Sequence, residues 1–80
     1  MSNYDHYDEA KSIADQIDTK GFSDQAAAVR NAIDEGRSGT EIFMQLRFYL
    51  EPLLEEGEID ASTKDQITTL VEKINEALTR

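Results

Sequence analysis

Apolar residues recur at helical spacing in four stretches of the chain, and glycines separate the stretches: Gly21, then Gly36 with Gly39, then Gly57. In the first, Ala10, Ile13, Ala14 and Ile17 stand at i, i+3, i+4 and i+7, one face of a helix over about residues 5–20. Gly21 suits the left-handed position just past its end, with Phe22 placed to fold back over Ile17. In the second, over 23–35, Ser23 is an N-cap residue type, Asp24 faces the positive end of the helix dipole, and Ala26, Val29, Ala32 and Ile33 form the face to be buried. Gly36 is expected to end this helix in the same manner as Gly21. The last stretch, 62–79, has the cleanest pattern, with Ile67, Leu70, Val71, Ile74 and Leu78 on one face and a start at Ser62 with Asp65.

The third stretch, 39–56, is different in kind. Ser38 followed three residues later by Glu41 fits a reciprocal capping box, in which each side chain accepts from the other residue's amide. The same "GRSGT" run bears a faint likeness to a phosphate-binding loop, but it has no lysine at the required place and no strand-like run before it. Beyond the cap the helix is apolar nearly all round. Ile42, Leu46, Tyr49 and Leu53 form one stripe, Phe43, Leu50 and Leu54 a second, and Met44 with Phe48 a third. A helix of that type is usually central and covered on several sides, so the leading expectation is a core helix. The competing one leaves the Met44 and Phe48 edge exposed for docking. Arg47, the one charge in the apolar segment, is expected to snorkel or to meet an acid of a neighbouring helix. Pro52 cannot donate to the carbonyl of Phe48, which predicts a kink or a break near Leu50 and Glu51, with "PLLEEG" then a short separate turn of helix.

These elements predict an all-α fold: a compact antiparallel bundle of four helices, a single domain over 1–80 with residues 1–4 frayed, and one core holding Ile42, Leu46, Leu50, Ile67, Leu70 and Ile74. The chain has 80 residues, a size at which one core is marginal, and it has no cysteine, so packing alone must hold it. No apolar run approaches the roughly 18 residues of a membrane span, and the opening "MSNYDHYDEA" is acidic rather than basic then apolar. The expected location is the cytoplasm.

Charge narrows the function classes. The net charge is −9, which disfavours direct binding to a nucleic-acid backbone. Five of the acids, Glu51, Glu55, Glu56, Glu58 and Asp60, fall within ten residues without a base among them. The one histidine, His6, lies near the amino terminus, where a surface or frayed position is expected rather than a ligand role alongside Asp5 and Asp8. Carboxylate pairs are numerous, but none sits in an apolar run that would raise a pKa for acid catalysis. No catalytic, cofactor or metal site is expected, and the chain does not read as an enzyme.

The stretch from Gly21 to Gly57 resembles a group of small uncharacterised bacterial helical proteins carrying a "TGTEI.M.LR"-like segment, here Ser38, Gly39, Thr40, Glu41, Ile42, Met44, Leu46 and Arg47. The layout is also loosely similar to immunity proteins of bacterial toxin systems. That resemblance implies a binding module that neutralises or inhibits a protein partner, in the manner of an immunity protein, an antitoxin or a phage-encoded inhibitor. The acidic surface implies that the partner is basic, with no membrane and no direct nucleic-acid contact. The candidate contact residues are Glu51, Glu55, Glu56, Glu58 and Asp60 with Phe43, Met44 and Phe48. The alternative is a structural or self-associating subunit, a homo-oligomer, which an exposed Met44 and Phe48 edge would favour and a covered one would disfavour.

Overall fold

A computed structural model describes residues 4–79. It is a bundle of four helices: α1 (His6–Asp18), α2 (Ser23–Glu35), α3 (Gly39–Leu50) and α4 (Ala61–Leu78), with a 3₁₀ turn at Glu51–Glu55 between the last two. Short connections fold consecutive helices against each other, so α1 packs on α2 and α2 on α3. α4 closes the bundle by packing on both α1 and α3, and it also meets the 3₁₀ turn.

The core forms one cluster. α1 supplies Ala10, Ile13, Ala14 and Ile17, α2 supplies Ala26, Val29 and Ala32, and α4 supplies Ile67, Leu70, Val71 and Ile74. The six residues expected to share a core do share it. Leu53 and Ile59, from the turn and loop before α4, seal the end.

α3 is not central. It buries a single row, Ile42, Leu46 and Leu50, and exposes Met44, Phe48 and Tyr49 at 51%, 71% and 36%. The stripe through Tyr49 therefore gives way to one through Leu50. Both residues follow Leu46 within a turn, but leucine can be fully enclosed at no polar cost, whereas a buried tyrosine must also find a partner for its hydroxyl. α1 buries more of its surface than α3 does, with Ala10, Ile13, Ala14 and Ile17 all enclosed where it packs on α2 and α4.

The helix ends follow local chemistry, with four departures from the expectations. Gly21 is left-handed at φ 93°, and the amides of Phe22 and Gly21 donate back to the carbonyls of Ile17 and Asp18, the bonds of a Schellman end. Gly36 is extended, at φ −67° and ψ 141°, so it does not repeat that geometry. Its missing side chain is required for another reason, since a Cβ there would overlap the side chain of Ile42 and the carbonyl of Ala32. Ser23 is the first residue of α2 rather than its cap, and α2 starts without a side-chain cap. The Arg30 guanidinium and, more weakly, the Ser23 hydroxyl hold the Asp18 carboxyl below its ordinary pKa. At α3, Ser38 Oγ accepts from the Glu41 amide at 3.1 Å, but the Glu41 carboxylate accepts from the Arg37 amide, one residue before the cap. α4 is capped by Asp60 rather than Ser62, because Asp60 accepts from the Thr63 amide at 3.3 Å. Of the kink or break expected at Pro52, the structure has the break: the α-helix ends at Leu50 and the separate short turn expected after it is the 3₁₀ turn Glu51–Glu55, so α3 itself does not reach residue 56.

Candidate protein-docking surface

α3 presents its exposed edge as a shallow cleft of ≈ 480 Å³, lined by Ser38, Thr40, Glu41, Met44, Gln45, Phe48 and Tyr49. The helix repeat produces this arrangement. Met44 and Phe48 are one turn apart, Glu41 is one turn before Met44, and all lie opposite the buried row of Ile42, Leu46 and Leu50. The Phe48 and Tyr49 rings meet edge to face at 5.2 Å, which fixes both on the surface. A second groove of ≈ 430 Å³ runs between α2 and α3, lined by Asp24, Ala27, Ala28, Asn31, Ala32, Glu35, Gln45 and Tyr49. Gln45 and Tyr49 border both, so the two recesses form one surface.

The other residues expected to contact a partner divide. Phe43 is half-buried and separated from the exposed edge. Its ring packs against His6 at 4.8 Å and Tyr7 at 5.8 Å, which ties the start of α1 to α3. His6 also meets the Tyr4 ring at 5.0 Å, so this histidine is packed among aromatic rings rather than frayed. Of the four terminal residues expected to fray, Met1 to Asn3 lie outside the described residues, while Tyr4 packs against the core. Glu51, Glu55, Glu56, Glu58 and Asp60 are all exposed, and none lines either recess. Glu51 continues the Phe48 face one turn further, and Asp60 is committed to capping α4.

Among the described residues, Arg47 meets no acid. Its Nη1 donates to Asn75 Oδ1 of α4 at 2.7 Å, which turns the guanidinium away from the exposed edge. Arg30, the one base in α2, is likewise turned aside, bridging Asp15 at 2.7 Å and Asp18 at 3.1 Å on α1. The joined recesses thus hold Asp24, Glu35 and Glu41 and no lysine or arginine. Sequence reasoning missed Tyr49, Asp24, Glu35 and the small residues between them. The available signal was the repeat Asp24, Ala27, Ala28, Asn31 and Glu35, a second helix face opposite the apolar one.

Among the described residues, no three histidine, aspartate or glutamate side chains cluster as metal ligands do, and no helix is long and apolar enough to cross a membrane. No protein-family profile, curated protein or solved structure matches the chain.

Proposed function

We propose that this chain is a small acidic binding module that docks on a basic protein partner and neutralises or inhibits it. The observation that carries the reading is the exposed edge of α3: three large apolar side chains in the open, with acids and no base among the residues lining the recesses beside it. Apolar contact at such an edge supplies affinity, while the carboxylates around it attract a cationic surface and repel an anionic one. The charge of −9 extends that attraction over the whole molecule.

Self-association is the second reading, and the exposure of Met44 and Phe48 favours it. Charge opposes it, because a symmetric contact through this edge would bring Glu41 of each copy, and Asp24 and Glu35 beside it, toward like charges. The test is affinity capture from the native host with the wild-type chain and with Met44→Glu/Phe48→Glu. Both positions are exposed, so the variant should keep its far-UV helicity and melting temperature. A basic protein retained by the wild type and lost by the variant supports the reading. Equal retention by both moves the contact elsewhere, and a concentration-dependent dimer abolished by the variant replaces the partner with a second copy.

A further inference from the structure

The groove between α2 and α3 has the dimensions and charge of a seat for one helix. Asp24, Ala27, Ala28, Asn31 and Glu35 follow one another at i, i+3, i+4, i+7 and i+11, so they lie along a single line of α2 with small side chains in the middle and a carboxylate at each end. The two carboxylates are eleven residues apart, about 16 Å at the helical rise of about 1.5 Å per residue. Alanines at the centre allow a third helix to approach closely, and the far wall is Gln45 and Tyr49 of α3. Beyond Tyr49 the surface opens into the apolar recess of Met44 and Phe48. Neither Asp24 nor Glu35 makes an ion pair among the described residues, whereas the base of α2 is consumed by α1.

Resting on the proposed binding function, we infer that the partner engages this groove with an amphipathic basic helix about three turns long. Its cations, about eleven residues apart, meet Asp24 and Glu35. Its small residues lie over Ala27 and Ala28, and an apolar side chain enters the Met44 and Phe48 recess. An extended basic tail would not match this line, because at about 3.3 Å per residue it spans the two carboxylates in about five residues and has no helical ridge to seat between α2 and α3.

The probes are synthetic peptides of about 14 residues titrated into the full-length ¹⁵N-labelled chain. One is an amphipathic helix with lysines at both ends and leucines and alanines on one face. A second has the same composition scrambled to remove the amphipathic face, and a third replaces lysine by glutamate. The amphipathic basic peptide should shift the amides of Ala27, Ala28, Asn31, Gln45 and Tyr49, with the scrambled peptide about tenfold weaker and the acidic one without effect. Ala27→Arg, at an exposed helical position, should weaken binding about tenfold or more by filling the groove. Asp24→Asn with Glu35→Gln, which fills nothing, should weaken it severalfold at low salt. Shifts centred on Glu51 to Asp60, with Ala27→Arg binding like the wild type, would overturn the groove while leaving an acidic binding module standing. No shift with any basic peptide at about 1 mM would count against both the groove and the binding function. Shifts of the same amides on concentrating the chain alone would assign the groove to a second copy and overturn the basic helix.

Discussion

Tyr4 shows how a single buried atom can be read in both stability and titration. Its hydroxyl oxygen is enclosed without a hydrogen-bond partner among the described residues, and burial, reinforced by Glu9, pushes its pKa up to about 12. Tyr4→Phe removes a polar atom that gains nothing from enclosure, so the variant should be as stable as the wild type or more stable by up to about 1 kcal/mol in chemical denaturation. Ultraviolet titration should lose its latest phenolate step in the same variant. Because the folded pKa lies above the unfolded one, the phenol's contribution is complete below about pH 10 and declines as pH rises toward about 12. Asp60 has the opposite sign. The Thr63 hydroxyl, 2.9 Å away, is the main cause holding its carboxyl below the ordinary value. That contribution is complete above the usual aspartate pKa of about 3.9 and is lost as pH falls through the folded value. Asp60→Asn keeps a capping side chain but removes the proton, so its melting temperature should fall less than the wild type's between about pH 5 and pH 2. Thr63 itself is buried, and its hydroxyl also lies 2.8 Å from Gln16 Oε1, so one residue joins the α4 cap to α1.

At the scale of elements, the entry to α3 separates two bonds that a reciprocal box would have coupled. Ser38 serves the Glu41 amide and the Glu41 carboxylate serves the Arg37 amide. Ser38→Ala should cost about 1 kcal/mol and Glu41→Ala about 0.5 kcal/mol in thermal denaturation. The double variant should lose close to their sum, since truncating Glu41 leaves the amide that Ser38 caps. Gly36 positions the same helix by letting Ile42 settle against the end of α2. Gly36→Ala must push back either Ile42 or the backbone at Ala32, and should destabilise by about 1–3 kcal/mol, the usual cost of overpacking. How α3 presents its edge was only partly legible. The candidate edge of Met44 and Phe48 stood out as apolar residues one turn apart, but periodicity alone places Tyr49 and Leu50 equally well inside, and the phenol hydroxyl decides which stays in contact with water.

For the whole molecule, one core serves 80 residues, and a domain of this size has only about 3–5 kcal/mol to lose. Leu46→Ala removes a fully buried side chain from the single inward row of α3, at a cost of about 2–5 kcal/mol, and should leave the protein largely unfolded by circular dichroism at 25 °C. The charge of −9 acts at the same scale. Self-repulsion weakens the compact state at low ionic strength, so the melting temperature should rise on going from about 10 mM to about 0.5 M salt as the repulsion is screened. Association with a basic partner should respond in the opposite sense, slowing steeply over that range, and charge reversal at Glu55, Glu56 and Glu58 should slow it further at low salt without touching the groove.

Periodicity and end chemistry were local, and these the sequence by itself determined: four helices, their order, the break at Pro52, the left-handed turn at Gly21 and the six-residue centre of the core. The helices, the Pro52 break and the Gly21 turn depend on residues within about one turn of one another, and the core centre follows from bringing together the apolar faces that this spacing defines. What the tertiary structure decided was every choice between local options of similar cost. It packed α1 more closely than α3 against the α2 and α4 that both helices meet, enclosing two isoleucines and two alanines of α1 but only the row Ile42, Leu46 and Leu50 of α3. It turned Arg30 to α1 and Arg47 to Asn75, which left neither of them lining the α2–α3 recesses. It drew Phe43 under the aromatic rings of His6 and Tyr7. These outcomes depend on which groups approach from distant parts of the chain, and a helical repeat carries no record of its neighbours.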